Sequence, residues 1–416
     1  MQKKITTLTL SVLCFPLALV LFEFAVYIAN DMIQPGMLHV VAEFGVDISW
    51  VATSMTAFLL GGITVPWLLG PLSDRIGRRP VMLAGVALFV LSCLAMLWVG
   101  GIESFIAMRV LQGVGLCFIA AVGYAAVQEA FDENTAIKVT ALMANVALIA
   151  PLLGPVAGAV LIEIWPWRSI FVLIAAIAAL GWLGLWYFMP ETVQPGSGPL
   201  PLSQIGRDYR AVLTDRGFIA ASLCMPFMAL PLLGWIALSP VFLIEDGGMS
   251  TLEYGLWQIP VFGALIAGNL ILVRVSDRWQ LGRSVVVGRL PQMLGATLML
   301  AGCLLTSVPW FWIIAGISLT SLGEGLCFAV LYRFALTASP IAKGTVAASV
   351  GMLSMVVYVF GIEGLKFAYL QWGEVGYAAL SACSTALYLW LSRGVLQRAM
   401  AARARESGEP ALASQS

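Results

Sequence analysis

The sequence predicts an all-α membrane protein. It has twelve transmembrane helices in two six-helix bundles, with the N- and C-termini both cytoplasmic. Three observations predict this. Of 416 residues, 60% are hydrophobic and only 11% charged, with mean hydropathy +0.94. Soluble domains carry roughly 45–50% apolar and about 25% charged residues, so this chain cannot hide its apolar mass from water. Next, the apolar residues fall into twelve runs, and twelve spans of about 20 residues would use roughly 240 residues. Finally, one Pro/Gly-rich break at 190–215 divides six runs from six.

The runs lie near 10–35, 48–70, 80–100, 103–128, 137–162, 168–189, 216–243, 252–275, 285–306, 309–335, 342–367 and 374–393. Each is about twice the length of a barrel strand and lacks its alternation, which excludes a transmembrane β-barrel. Lys3 and Lys4 before the first run imitate a secretory signal. That run passes Glu23 and reaches Asp31 without a small-residue cleavage site, so it is expected to stay as the first span. With the N-terminus inside, 18 of the 22 Lys and Arg fall on cytoplasmic segments and only Arg168 and Lys366 outside, which fixes the orientation. The expected organisation is 1–190 as the first bundle, 191–215 as a cytoplasmic linker, 216–394 as the second bundle and 395–416 as a cytoplasmic tail. From 397 onward the tail is expected to be disordered.

A repeat supports the two bundles. Ser73-Asp74-Arg75-Ile76-Gly77-Arg78 is loosely echoed by Ser276 to Arg283. Gly115-Leu116-Cys117-Phe118 recurs as Gly325-Leu326-Cys327-Phe328, and Lys138 and Thr140 as Lys343 and Thr345. All three displacements are near half the chain length. Such parallel repeats enclose a site near the membrane midplane, reached alternately from each side.

Several function classes are excluded. Lys+Arg 22 balances Asp+Glu 22, so no nucleic acid is implied. The seven cysteines sit in apolar runs without a C-x-x-C pair and read as inert thiols. A lone histidine, His39, reads as a loop residue and makes no metal site. No nucleophile–base pair suggests an enzyme.

Charges inside the spans carry the functional signal. Glu23, Tyr27 and Asp31 are spaced by four on one slowly drifting face of the first helix. A carboxylate at mid-helix costs about 2.5–3.5 kcal/mol by insertion scales, so two on one face belong in a wet cavity. Such groups take a proton from one side and release it to the other. The alternative reading puts Asp31 in the outer loop, because Pro35 and Gly36 follow. Arg109, two turns inside the fourth span, cannot lose its proton and needs acids or carbonyls as acceptors. Between the second and third spans, Gly70-Pro71-Leu72-Ser73-Asp74-Arg75-Ile76-Gly77-Arg78-Arg79-Pro80 has tight turns and an acid able to pair with arginine. It reads as a conformational latch of Gly70, Asp74, Arg75, Gly77, Arg78 and Arg79. In the fifth span, Pro151, Gly154, Pro155 and Gly158 suit a hinge or cavity wall. Glu324, mid-way along the tenth span, is a candidate second acid that faces the cavity as a protonation or cation site, pairs with Arg333 or is held neutral. Glu363 and Lys366, three apart, read as a local ion pair.

Twelve helices in two halves, the Gly70–Pro80 loop, the Arg109–Gly115 run and the Ala147–Gly158 run resemble the signature motifs of the drug:proton antiporters of the major facilitator superfamily. Within it the chain is similar to the MdfA-type multidrug (chloramphenicol) transporters of Gram-negative bacteria. Glu23–Met37, Trp67–Ala84, Thr140–Pro155 and Tyr254–Leu270 carry the resemblance. It implies a monomer of the bacterial inner membrane that exports lipophilic neutral and cationic drugs, with protons as the coupling ion and no cofactor. By position it implies that Glu23, Asp31 and Arg109 couple protons. Tyr27, Asn30, Asp31, Met55, Leu59, Met143, Ala147, Leu148, Leu232, Leu233, Ile236 and Gly351 would line the drug cavity. Glu324 departs from the family pattern, where that position is apolar. The rival readings are a transporter of one specific metabolite and a non-transporting membrane sensor.

Overall fold

The computed structural model describes residues 10–193, 202–280, 282–306, 308–339, 341 and 343–407. Among them every regular element is helical: α1 Leu10–Asp31, α2 Met37–Phe44, α3 Trp50–Thr64, α4 Pro66–Ile76, α5 Arg78–Ala95, α6 Ile102–Phe118, α7 Tyr124–Ala130, α8 Glu133–Ile164, α9 Arg168–Phe188, α10 Leu202–Thr214, α11 Arg216–Pro240, α12 Thr251–Val275, α13 Arg283–Leu305, α14 Pro309–Thr337 and α15 Lys343–Ser407.

These elements make twelve spans. The first joins α1 to α2. The second is α3 with α4, bent by 45° at Val65 because Pro66 has no N–H to continue the ladder. The fourth joins α6 to α7 through a π-turn at Ile119–Gly123. α15 holds the last two spans, broken at Gly373, whose φ of +59° is left-handed and leaves two antiparallel limbs. α10 lies between the bundles and buries Val212 against the inner end of the second one. Asp215 then caps α11, accepting from the backbone N–H of Gly217 at 2.7 Å and of Phe218 at 3.1 Å.

The duplication is visible in the packing. In the first half, α3 and α6 approach backbone to backbone: a Cβ on Gly61 would lie 2.0 Å from the Val110 carbonyl oxygen, and one on Gly113 would lie 1.7 Å from that of Phe58. In the second half, Gly268 of α12 meets the Leu322 carbonyl and Gly325 of α14 that of Leu265 in the same way. Small residues permit such contacts where lipid offers helices no hydrophobic drive to associate.

The halves are joined on the outer side. One continuous apolar core runs through the first half and the outer part of the second, including Trp235, Tyr254, Ile317 and Tyr358. The inner part of the second half keeps a separate core around Phe218, Leu331, Val350 and Tyr388. Across the outer seam, Thr56 Oγ1 donates to Glu363 Oε1 at 2.6 Å and Lys366 Nζ donates to Thr53 Oγ1 at 2.9 Å. Glu363 and Lys366 form the expected ion pair, and it also ties α15 to α3. The two halves are therefore closed against each other on the outer side.

Two expectations are corrected. His39 lies on α2, exposed, rather than in a loop, because the first span continues past Pro35 through a single 3-10 turn. The chain after 397 is not disordered from that point: α15 runs on to Ser407, since Ala and Arg continue its helical propensity. Residues 408–416, like 194–201 of the linker, lie outside the described residues.

Candidate functional site

α1 is apolar on all sides, so tertiary contact rather than hydropathy decides which face its acids take. The structure buries both inside protein, not against lipid: Glu23 is 0% and Asp31 3% exposed. Asp31 is the last residue of α1, and α2 continues the span beyond it, so it belongs to the membrane interior rather than to the outer loop. Glu23 Oε1 accepts from Tyr124 Oη at 3.1 Å, while Oε2 is buried without a partner among the described residues. The π-turn before α7 inserts an extra residue and re-aims Tyr124, a common use of such bulges at functional sites.

Arg109 of α6 is fully buried, its guanidinium held by uncharged acceptors. It donates to the Ala29 carbonyl at 3.1 Å, Gln112 Oε1 at 2.9 Å, Ser54 Oγ at 3.2 Å and Asn30 Oδ1 at 3.4 Å. The group also lies 4.8 Å from the centre of the Phe58 ring. Asn30 Nδ2 in turn donates to Asp31 Oδ1 at 3.0 Å. One amide thus connects the fixed positive charge to the carboxyl, and in this low-dielectric interior each polarises the other. Asn30 is expected from the sequence to line the cavity; the structure gives it this linking contact.

The Pro-Gly run of α8 explains how Asp31 is held. A Cβ on Gly154 would sit 2.8 Å from Asp31 Cβ, and one on Gly158 would sit 2.0 Å from the Met32 carbonyl oxygen. α8 therefore rides directly on the last turn of α1. On its other side it packs against Gly255 of α12 through Val156 and Ala159. α8 is thus in contact with both the acid and the opposite half. Tyr254, next to that contact, is buried, with Ser239 beside its phenol. It lies within electrostatic reach of Asp31 across the interface.

Seven of the expected cavity residues belong to the one continuous apolar core: Tyr27, Met55, Leu59, Met143, Leu232, Leu233 and Ile236. They come from α1, α3, α8 and α11, so both halves contribute. Gly351 on α15 has open space around it, with nothing within 4 Å of a Cβ placed there. The side chains of Ala147 and Leu148 lie outside the described residues.

The inner loop between α4 and α5 forms a network within the first half. Arg78 pairs with Asp74 and with Glu129 of α7, at 2.8 Å for the latter, and reaches Ser73 Oγ at 2.5 Å and the Gly70 carbonyl at 3.4 Å. The backbone N–H groups of Arg78 and Arg79 donate to the carboxylate of Glu191, and Arg79 Nη2 donates to the Trp186 carbonyl at 2.5 Å. Gly77 is required here: its φ is +107°, and a Cβ would fall 2.2 Å from Glu191 Oε2. Arg75 takes no part in the network. Glu324 is buried on α14 and makes no ion pair with Arg333, which is exposed near the inner end of that helix. Sequence reasoning missed Tyr124, Glu129, Glu191 and Tyr254. Glu129 alone left a signal, as an acid near the inner end of an apolar run.

The chain was then compared with known proteins. Residues 19–362 match the Major Facilitator Superfamily profile. This chain belongs to the major facilitator superfamily. It is 54% identical over 395 residues to the multidrug transporter MdfA of Yersinia pestis (strain D106004), covering 95% of this chain and 96% of that one. Identity to the proteins of the same name is 52% over 391 residues in Edwardsiella ictaluri and 52% over 377 residues in Escherichia coli O6:H1, covering 95% and 92% of those chains and 94% and 90% of this one. Among solved structures, a D-xylose–proton symporter superposes with TM-score 0.72 at 16% identity, covering 91% of this chain and 96% of that one. A bacterial homologue of the human lysosomal transporter Spinster does so with TM-score 0.68 at 15% identity, covering 94% and 99%. These two likenesses establish the superfamily fold of twelve spans.

Proposed function

We propose that this protein is a multidrug efflux transporter of the bacterial inner membrane. It exchanges lipophilic neutral and cationic compounds, chloramphenicol-like ones among them, for protons, and it works as a monomer by alternating access. The observation that carries this reading is the burial of Glu23 and Asp31 beside an apolar core shared by both halves. The identity to curated multidrug transporters supports the substrate class.

Drug enters from the cytoplasm or the inner leaflet. The apolar and aromatic lining accepts varied shapes because it imposes few fixed hydrogen bonds. An unprotonated Asp31 or Glu23 favours a cation, and a proton on the same carboxyl removes that attraction. Drug and proton therefore exclude one another, and their competition is the coupling. Arg109 stays charged throughout and acts on Asp31 through Asn30. α8 carries the state of Asp31 to the second half through its contact with α12.

The test is efflux from everted membrane vesicles of one neutral and one cationic compound, each with and without a pH gradient. Both compounds should accumulate only with the gradient, and each should release protons on addition. Gradient-independent uptake, or transport of a single sugar-like solute in place of both, would overturn the reading.

A further inference from the structure

The exchange described above does not use Glu324. It lies mid-way along α14, 8% exposed, with neither a hydrogen bond nor an ion pair to another described residue. Its surroundings are polar in an unusual way. Gln292 of α13 is 0% exposed, and both its amide oxygen and its amide nitrogen lack a partner among the described residues. Its side chain lies against Gly323, the residue before Glu324, where a Cβ would come within 2.6 Å of Gln292 Cγ. Ser321, one turn earlier on α14, is equally buried with an unpartnered hydroxyl. One turn from Gln292 toward the inner face, Arg289 donates from Nε to Ser392 Oγ of the second limb of α15 at 3.1 Å. Its Nη2 is buried without a partner among the described residues.

Two adjacent helices therefore place unpartnered polar atoms on both sides of the acid: Arg289 and Gln292 from the inner face up to its level, and Ser321 one turn beyond it toward the outer side. Each such atom costs about 1–3 kcal/mol if it stays unsatisfied. Internal water relieves that cost where a site has room for it and two to four polar partners. Close to Glu324, the titratable groups are Tyr358 from the first limb of α15 and Cys327 on its own helix. Cys327 receives the Tyr388 hydroxyl from the second limb at 3.5 Å. Cys224 of α11 and Arg289 of α13 stand beyond it. α12 offers Asn269, whose amide is engaged with the Leu265 carbonyl. No other carboxyl among these groups competes for the proton.

We propose that Glu324 is a second proton-exchanging carboxyl, supplied by internal water along Gln292 from the Arg289 end of the second half. The carboxylate takes one proton from a hydronium there, leaving water and a carboxylic acid, and returns it by the same route. This site does not depend on competition between drug and proton at Glu23 and Asp31.

The experiment is infrared difference spectroscopy of the purified full chain between alkaline and acid buffer, in H2O and D2O, with a thermal melt on each variant. The wild type should show a protonated-carboxyl band that shifts promptly in D2O, disappears in E324Q and moves in frequency in E324D. The dried variant Q292L should keep the band but slow its D2O shift by about tenfold. A Glu23→Gln/Asp31→Asn background should retain it, which separates failure here from failure of the exchange mechanism. Spectra of E324Q identical to wild type, or a band that never exchanges in D2O, would overturn the proposal. If E324Q does not fold, an unmoved band in E324D does the same.

Discussion

Replacing Thr53 and Thr56 together by valine removes both hydrogen bonds across the outer seam while keeping side-chain volume. The lost contacts are Thr56 Oγ1 to Glu363 Oε1 at 2.6 Å and Lys366 Nζ to Thr53 Oγ1 at 2.9 Å. A hydrogen bond to a charged group contributes about 1.5–3 kcal/mol when buried. Here the Lys366 and Glu363 side chains are 17% and 36% exposed at the outer end, so water recovers part of that. About 1 kcal/mol per bond is the appropriate figure. Together the two bonds stabilise the outward-closed state by about 2 kcal/mol, so their loss shifts the closed-to-open ratio about 30-fold. Spin labels at Ser49 and Gln371, both near the outer ends of these spans, report the separation by pulsed electron resonance. The ratio of long- to short-distance populations should rise by that factor in the double valine variant. Distance distributions unchanged from the unsubstituted chain would refute the assignment of this seam as the outer closure.

Other predictions follow from the α1–α8 contact and from Arg109. Gly158→Ala should destabilise the protein by about 1–3 kcal/mol, because its Cβ meets the Met32 carbonyl oxygen at 2.0 Å. Alanine ordinarily favours a helix by about 1 kcal/mol over glycine, so a lowered Tm with lost efflux is diagnostic of the contact, and a raised Tm contradicts it. Arg109→Lys keeps the charge but loses the fork that reaches Ala29, Ser54, Gln112 and Asn30 at once. Vesicle efflux should fall at least tenfold at unchanged protein level, and a lysine variant pumping normally would show that charge alone suffices.

The sequence made the spans legible because lipid demands about 20 apolar residues per crossing, and no soluble constraint blurs that signal. It also exposed Glu23, Asp31, Arg109 and Glu324, since an ionisable group is costly in such a run. What stayed hidden is azimuth and partnership. Helices apolar on every side carry no stripe that says which face meets which neighbour. Hence Thr56 and Glu363, 307 residues apart, gave no sign of pairing. The turn at Ile119–Gly123 that aims Tyr124 at Glu23 reads as ordinary helix. The role of Asn30 between Arg109 and Asp31 likewise depends on a contact across 79 residues. The extension of α15 to Ser407 is hard to see in the sequence, because a charged, alanine-rich end suits a solvated tail and a helix alike.

Drug-induced proton release from the purified protein, in the unsubstituted chain and in the Glu23→Gln/Asp31→Asn variant, measures the account most directly. The unsubstituted chain should release protons into weakly buffered solution when a cationic drug is added. The double variant should release none and should fail to pump that drug against its gradient. Full proton release together with uphill drug transport in the double variant would contradict the account.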